Sequence, residues 1–265
     1  MRTARTAWIL ERAAIRAQMQ YKANFISMTL LGIIYQASAF SFVAIVMYNS
    51  GVIGGWVFEE ICFLYGLRLL AHSLSILPLS HLWTLDSMVR EAEFDRYLLR
   101  PMSPFLQFLT SKFQMSAAGD LLVASIILGY AFPRVDIDFS PATVTFLMAG
   151  VAGGALVEAS IQVSVASLVF RTLNTMSFRI FVDTIFNLTG NYPLTIFSGF
   201  IQSFLIAIPI SFVAYFPAVV ALGKEGELNV PLWVAFLTLP IGLLFSLCAA
   251  MTWKSQMRHY QSAGH

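Results

Sequence analysis

The chain reads as an all-α integral membrane protein, and three observations carry that reading. Its 265 residues are 58% hydrophobic and only 11% charged. A soluble domain carries about 25% charged residues, so there is too little polar surface here to cover a soluble globule. Mean hydropathy is +0.74. Apolar runs of about 20 residues, the length that crosses a bilayer core as a helix, recur along the chain between short polar connections. The net charge of +2 is too small to point to nucleic acid. Cys62 and Cys248 both sit in apolar runs and suit neither a disulfide framework nor a metal site. Both read as small buried hydrophobes.

Residues 1–23 are expected to form an amphipathic interfacial helix. Trp8, Ile15 and Met19 share one face, while Arg5, Arg12 and Arg16 share another. A basic helix with an aromatic on its apolar side lies well in a membrane interface. The same charges also serve as the basic flank of a first span. Either way this end is expected in the cytoplasm. No short apolar core with a small-residue cleavage site follows, so a cleavable signal is not expected.

Residues 24–48 form the first expected span, without charge. Residues 56–79 form the second, with Glu59 and Glu60 near its start and Arg68 and His72 inside. The loop over 84–106 then carries the densest charge in the chain, in the stretch EAEFDRYLLRPMSPFLQ from Glu91 to Gln107. One helix is expected from Ser87 to Leu99. Phe94, Leu98 and Pro101 follow on one side, and Arg90, Glu93 and Arg96 offer a charged one. Pro101 should end it, since proline lacks the N–H and clashes with the preceding turn.

The third expected span covers 113–132, with Asp120 inside, and PRVDIDFSP is a short polar connection. The fourth covers 142–170, with Glu158 and Gln162 inside. It carries AGVAGGA, where Gly150 and Gly154, and Ala149 and Gly153, stand four apart. That small-xxx-small spacing permits close helix contact. From Phe178 to Leu222 the chain is mostly apolar, too long for one span. Charge decides how it crosses. The linker GKEGELN holds one Lys against two Glu, whereas the tail over 252–265 holds Lys254 and Arg258. Positive charge marks the cytoplasmic side, so the tail belongs inside. That parity requires one span over 178–196, an outer re-entrant hairpin over 199–222 broken by Pro209 and Pro217, and a last span over 231–251. Irregular backbone at membrane depth is tolerable where protein buries it. In this arrangement every Lys and Arg is cytoplasmic except Arg134, Lys224 and the in-span Arg68.

Charge inside a span costs about 2.5–3.5 kcal/mol on insertion scales, so polar residues there need a reason. Arg68 and Glu158 stand at similar depth, and a buried ion pair between them is the plainest reading. Contact of either with a transported molecule is one alternative; a neutral Glu158, or Arg68 paired elsewhere, is another. Asp183, Asn187 and Asn191 are spaced four apart and make one stripe on a helix, and Glu158 with Gln162 does the same. Such a stripe either faces a neighbouring helix or lines a translocation route.

Several chemistries are absent from the sequence. There is no GxxxxGK[ST] phosphate loop, no HExxH and no GxSxG elbow. None of the four His lies at metal-ligand spacing with another His or Cys. No clear internal repeat of the secondary-transporter kind is visible.

Taken together, the residues resemble the permease subunits of ABC-2 type transporters, in the bacterial six-span branch. The matching stretches are YKANF before the first span, EFDRYLLRPMSPFLQ after the second, YPLTIF and FVAYFPAVVALG around the fifth, and the tail WKSQMRHYQSAG. The resemblance covers nearly the whole chain. It implies a dimer with a second permease copy or a related permease, two separate ATP-binding subunits, and a location in lipid of the bacterial plasma membrane. ATP and Mg would be bound by the partner, with no cofactor in this chain. The loop after the second span would carry a coupling helix facing the ATPase through Arg90, Glu91, Phe94, Asp95, Arg96, Leu98, Leu99, Arg100 and Pro101. Most such permeases serve export of lipids, glycans, drugs or peptides. Two other classes stay open: an ATP-independent secondary transporter or channel, which would recruit no nucleotide-binding chain, and a membrane enzyme using Glu158 or Asp183 as general base.

Overall fold

The computed structural model describes residue 16 and residues 20–110 and 115–262. Most of the expected interfacial helix over 1–23, the start of the expected third span and the last three residues of the tail lie outside the described residues. Within them the structure is helical, apart from one isolated two-residue bridge, Ile53 to Trp56.

The first helix, α1, runs over Lys22–Ser50. Twenty-nine residues at 1.5 Å per residue give about 43 Å, more than a bilayer core. Gly51 ends it at φ +71, its N–H donating to the Met47 carbonyl, a backbone conformation glycine adopts without strain. The next helix, α2 (Phe58–Ile76), is buried on all sides from Ile61 to Leu69. At its start the Glu60 carboxylate accepts from the Val57 N–H at 3.0 Å, satisfying a donor the helix itself cannot.

After a 3-10 turn over Ser80–Thr84 come three short helices: α3 (Leu85–Arg90), α4 (Asp95–Leu98) and α5 (Pro104–Leu109). The long helices resume with α6 (Ala117–Ala131) and α7 (Pro141–Ser167), the latter followed by a single turn, α8 (Val169–Thr172). Pro141 opens α7 at a position whose N–H is unneeded, and the Ser140 hydroxyl caps it by accepting from the Thr143 N–H. Then follow α9 (Met176–Gly190), α10 (Gly199–Ala207), α11 (Tyr215–Ala221), α12 (Leu232–Ala235) and α13 (Thr238–Met257).

The long helices stand in a row in the order α1, α6, α2, α7, α13, with α9 laid across α7 and α2. Glycine permits the closest crossings. A Cβ on Gly119 of α6 would lie 2.3 Å from the Thr29 carbonyl of α1, and one on Gly242 of α13 would lie 2.6 Å from the Gly153 carbonyl of α7. The spacing noted in AGVAGGA thus serves two partners. Gly153 faces α13, while Gly150 and Gly154 receive Pro217 and Val213 from the other side.

Two buried clusters divide the molecule. The larger joins α2, α6 and α7 to the 205–222 segment. The smaller joins the 79–108 segment to α7, α8 and the end of α13. At the opposite end from the smaller cluster, Lys224 ties the connections together. It lies 3.1 Å from Glu60 and 3.7 Å from Glu227, and donates to the Gly55 carbonyl. Trp56 donates to Glu227 at 2.6 Å beside them.

Among the described residues, α1 and the stretch Pro141–Thr172 are long and apolar enough to cross a membrane, with a third if Phe58–Ile76 and His81–Arg90 form one bent span. Several boundaries differ from expectation. The last helix starts at Thr238, not at residue 231, because Pro240 cannot donate and its ring excludes the carbonyl of residue 236. It runs on to Met257 because Trp253 is buried at its end. The helix expected over 178–196 stops at Gly190; Pro193 follows closely and disfavours the helical conformation before it. Pro209 does lie at a break, but Pro217 sits inside the first turn of α11, where no intrahelical donor is lost.

Candidate functional site

The single helix expected over Ser87–Leu99 is two helices with a turn between them. Leu85, Met88 and Val89 face the core at helical spacing. Continued without a break, that face would next bring in Ala92, Glu93 and Arg96. Instead Ala92 adopts φ +57, and the Phe94 N–H reaches back to the Met88 carbonyl at 3.1 Å. The turn resets the helical phase, so that Phe94 and Tyr97 point inward and Glu93 and Arg96 outward. Pro101 lies beyond Leu98, and Pro104 opens α5. The loop is closed by Gln107, which donates to the Tyr97 and Met102 carbonyls at 3.1 and 2.9 Å.

Phe94 is 0% exposed, and its side chain anchors the loop to the core behind it. Its ring lies 5.0 Å from Phe170 and 5.3 Å from Tyr260, centroid to centroid, with Trp253 at 6.4 Å. The anchor therefore joins the loop to α8 and α13, elements remote in sequence. Asp95 is half-buried and turned to the tail. Tyr260 and Ser262 donate to its two carboxylate oxygens at 2.8 and 2.6 Å. The Ser262 hydroxyl, then that of Tyr260, holds the Asp95 carboxyl below its ordinary range. Burial, with the Asp95 carboxylate beside it, pushes the Tyr260 phenol up to about 12, so it stays a donor at neutral pH.

The remaining loop residues face outward. Arg90, Glu91, Arg96, Leu98, Leu99, Arg100 and Pro101 are exposed, Leu99 at 85%. Arg96 and Glu93 form a solvent-exposed pair at 4.0 Å. Arg90 also reaches the Leu173 carbonyl at 3.2 Å. Nearby, both carboxylate oxygens of Asp86 accept from Thr175, from its N–H at 2.9 Å and its hydroxyl at 2.8 Å. The loop is thus fastened to the α8–α9 connection as well as to the tail.

A second group of polar residues lies between the long helices. The expected pair of Arg68 with Glu158 does not form. Glu158, 1% exposed, meets His72 instead, with Oε1 and Nδ1 2.5 Å apart. So short a contact places one proton between the carboxyl oxygen and the imidazole nitrogen. Arg68 turns the other way and donates to the Asn187 Oδ1 at 2.9 Å. The physical reason is reach: His72 lies one turn further along α2 and fills the place opposite Glu158, while Gly190 leaves the Arg68 stem room beside α9. Gln162 donates to Asp183. Asp120 is buried with Gln36 beside it. Asn191 lies at the end of α9 with its carbonyl oxygen buried and unpartnered.

These residues surround a cavity of about 540 Å³ between α1, α2, α6 and α9. Of the residues singled out from the sequence, His72, Asp120, Gln162, Asp183 and Asn187 line it, whereas Arg68, Glu158 and Asn191 stand behind the wall. Arg179, Trp83 and Gln36 also line it and were not singled out. Gln36 carried a visible signal, an amide in an otherwise apolar span. Arg179 looked like a flanking charge, but it is 1% exposed, donates to the Leu82 carbonyl and lies 4.4 Å over the Trp83 ring. Tyr260 and Trp253 carried no local signal, since their role depends on where the tail returns. Cys62 is buried and Cys248 exposed, both as free thiols.

The family model described as ABC-2 family transporter protein matches residues 33–264 of the chain. No curated protein and no solved structure matches it.

Proposed function

The chain belongs to the ABC-2 transporter family, and from that premise we propose that it is the permease subunit of an ATP-driven exporter in a bacterial plasma membrane. In this reading it crosses the membrane six times, keeps both ends in the cytoplasm and pairs with a second permease. It contains no phosphate loop, so the energy comes from two ATP-binding subunits that carry ATP and Mg. The lysine- and arginine-rich connections all lie at one end under this topology.

The observation that carries the proposal is the loop over 90–101. It presents charged side chains and the 85% exposed Leu99 outward, on a backbone anchored through the fully buried Phe94. A surface that transmits force needs both properties: an outer face for a partner and a rigid hold on the helices behind it. Movement of the ATPase would reach α2 through the Ser80–Thr84 turn, α7 and α8 through Phe170, and α13 through Trp253. Outer charges would set register and approach, and Leu98 and Leu99 would supply affinity.

The test is purification of the chain with its nucleotide-binding partner, followed by ATPase assays in lipid. Leu99→Asp and Arg96→Ala are expected to lower recovery of the partner and transport-linked ATP hydrolysis, with membrane insertion unchanged. Full coupling in both variants would remove the loop from the interface. Failure of any ATP-binding chain to co-purify would favour an ATP-independent transporter or channel.

A further inference from the structure

The cavity between α1, α2, α6 and α9 carries two carboxyl groups that form no ion pair among the described residues. Asp120 lines it from α6 and Asp183 from α9. Both stand beside neutral amides, Gln36 and Gln162. Among the described residues neither has a Lys, Arg or His nitrogen within 4.0 Å. The described cations around the cavity make their close contacts with other groups: Arg68 with Asn187, His72 with Glu158, and Arg179 with the Leu82 carbonyl and the Trp83 ring.

An unanswered carboxylate at membrane depth takes up either a proton or a cation. The shape of the site favours a cation larger than a proton. The cavity, about 540 Å³, falls within the range of drug-sized ligand pockets, roughly 300–1,000 Å³. Leu31, Ile76, Leu79 and Ile180 give it apolar walls. The Tyr35 ring is 64% exposed beside it, and aromatic faces attract cations. We propose that this cavity binds a lipophilic cation, an ammonium or phosphonium head on an apolar body. Asp183 and Asp120 take the charge and the apolar walls take the body. That such a molecule is cargo rests on the permease reading above; its binding does not.

The experiment uses the full chain in nanodiscs of neutral lipid and two probes of the same shape and opposite charge, tetraphenylphosphonium and tetraphenylborate. Binding is measured by equilibrium dialysis against empty nanodiscs. Saturable binding of the cation alone is expected, weakened about tenfold by Asp183→Asn and by Asp120→Asn, the loss of one charge-assisted contact each. Asp183→Glu should keep most of the affinity. Equal uptake of both ions, or unchanged affinity in both Asn variants, overturns the proposal. If neither variant folds, the comparison of the two ions on the unaltered chain decides. Cation binding by a chain that recruits no ATP-binding subunit would keep the site and remove the permease reading. A coupled complex with no cation preference would do the reverse.

Discussion

Phe94 and Arg96 stand two residues apart and are expected to fail in different ways. Phe94 is enclosed by Phe170, Trp253 and Tyr260, so Phe94→Ala should cost about 3–5 kcal/mol, the usual range for emptying a buried aromatic site. Thermal unfolding in detergent would read this as a lowered midpoint. Arg96 is exposed, so Arg96→Ala should move the same midpoint little, by about 0.5 kcal/mol or less, and act on coupling alone. Equal midpoints for the two variants would contradict the anchor. Asp95 adds a pH dependence. Its folded pKa is depressed below the ordinary 3.8 by Ser262 and Tyr260. The tail contact is therefore at full strength above that ordinary value and is lost as pH falls through the depressed one. Proteolysis of the tail should be slow at about pH 5 and faster below the ordinary 3.8. Asp95→Asn should make it fast at both.

At the scale of elements, glycines decide which helices touch. A Cβ at Gly153 would lie 2.5 Å from the Thr238 carbonyl, where backbone cannot yield as a side chain tip does. Gly153→Ala is expected to push α7 and α13 apart and cost about 1–3 kcal/mol, as overpacking does. Around Gly129 of α6 the space a Cβ would enter is open, with nothing within 4 Å. There Gly129→Ala should stabilise, by about 0.4–1 kcal/mol, because alanine loses less backbone freedom on folding. Opposite shifts of the unfolding midpoint would confirm that contact, not helix propensity, governs these positions. The same scale explains the divided loop. Hydrophobic periodicity identified a helix near Ser87, but Ala92 interrupts it so that Phe94 can enter the cluster made by the tail. No local pattern announces that exchange of phase.

For the whole molecule the proposed topology assigns each end to one side of the membrane. The Lys224–Glu60–Glu227 group closes one end and the Phe94–Trp253 cluster the other. With Cys62 and Cys248 replaced by alanine, a single cysteine at Gly226 should be labelled by an impermeant maleimide from outside intact cells. One at Arg100 should be labelled only after the membrane is opened. Labelling of Gly226→Cys from the cytoplasmic side alone would invert the six-crossing arrangement.

Composition and hydropathy alone determined that this is a helical membrane protein, because apolar surface in such excess has no other stable environment. Motif order and the charged stretch after the second apolar run were enough to recognise the family, which the match over residues 33–264 shows. What the sequence could not settle was pairing. Arg68 and Glu158 suited each other in charge and depth, yet Arg68 reached Asn187 and Glu158 met His72. Which partner a buried charge takes depends on how helices rotate and cross. That is decided by close contacts such as Gly153 on Thr238 and Gly190 on Arg68, between residues far apart in the chain. The cavity with Asp120 and Asp183 on its walls exists only once those crossings are made.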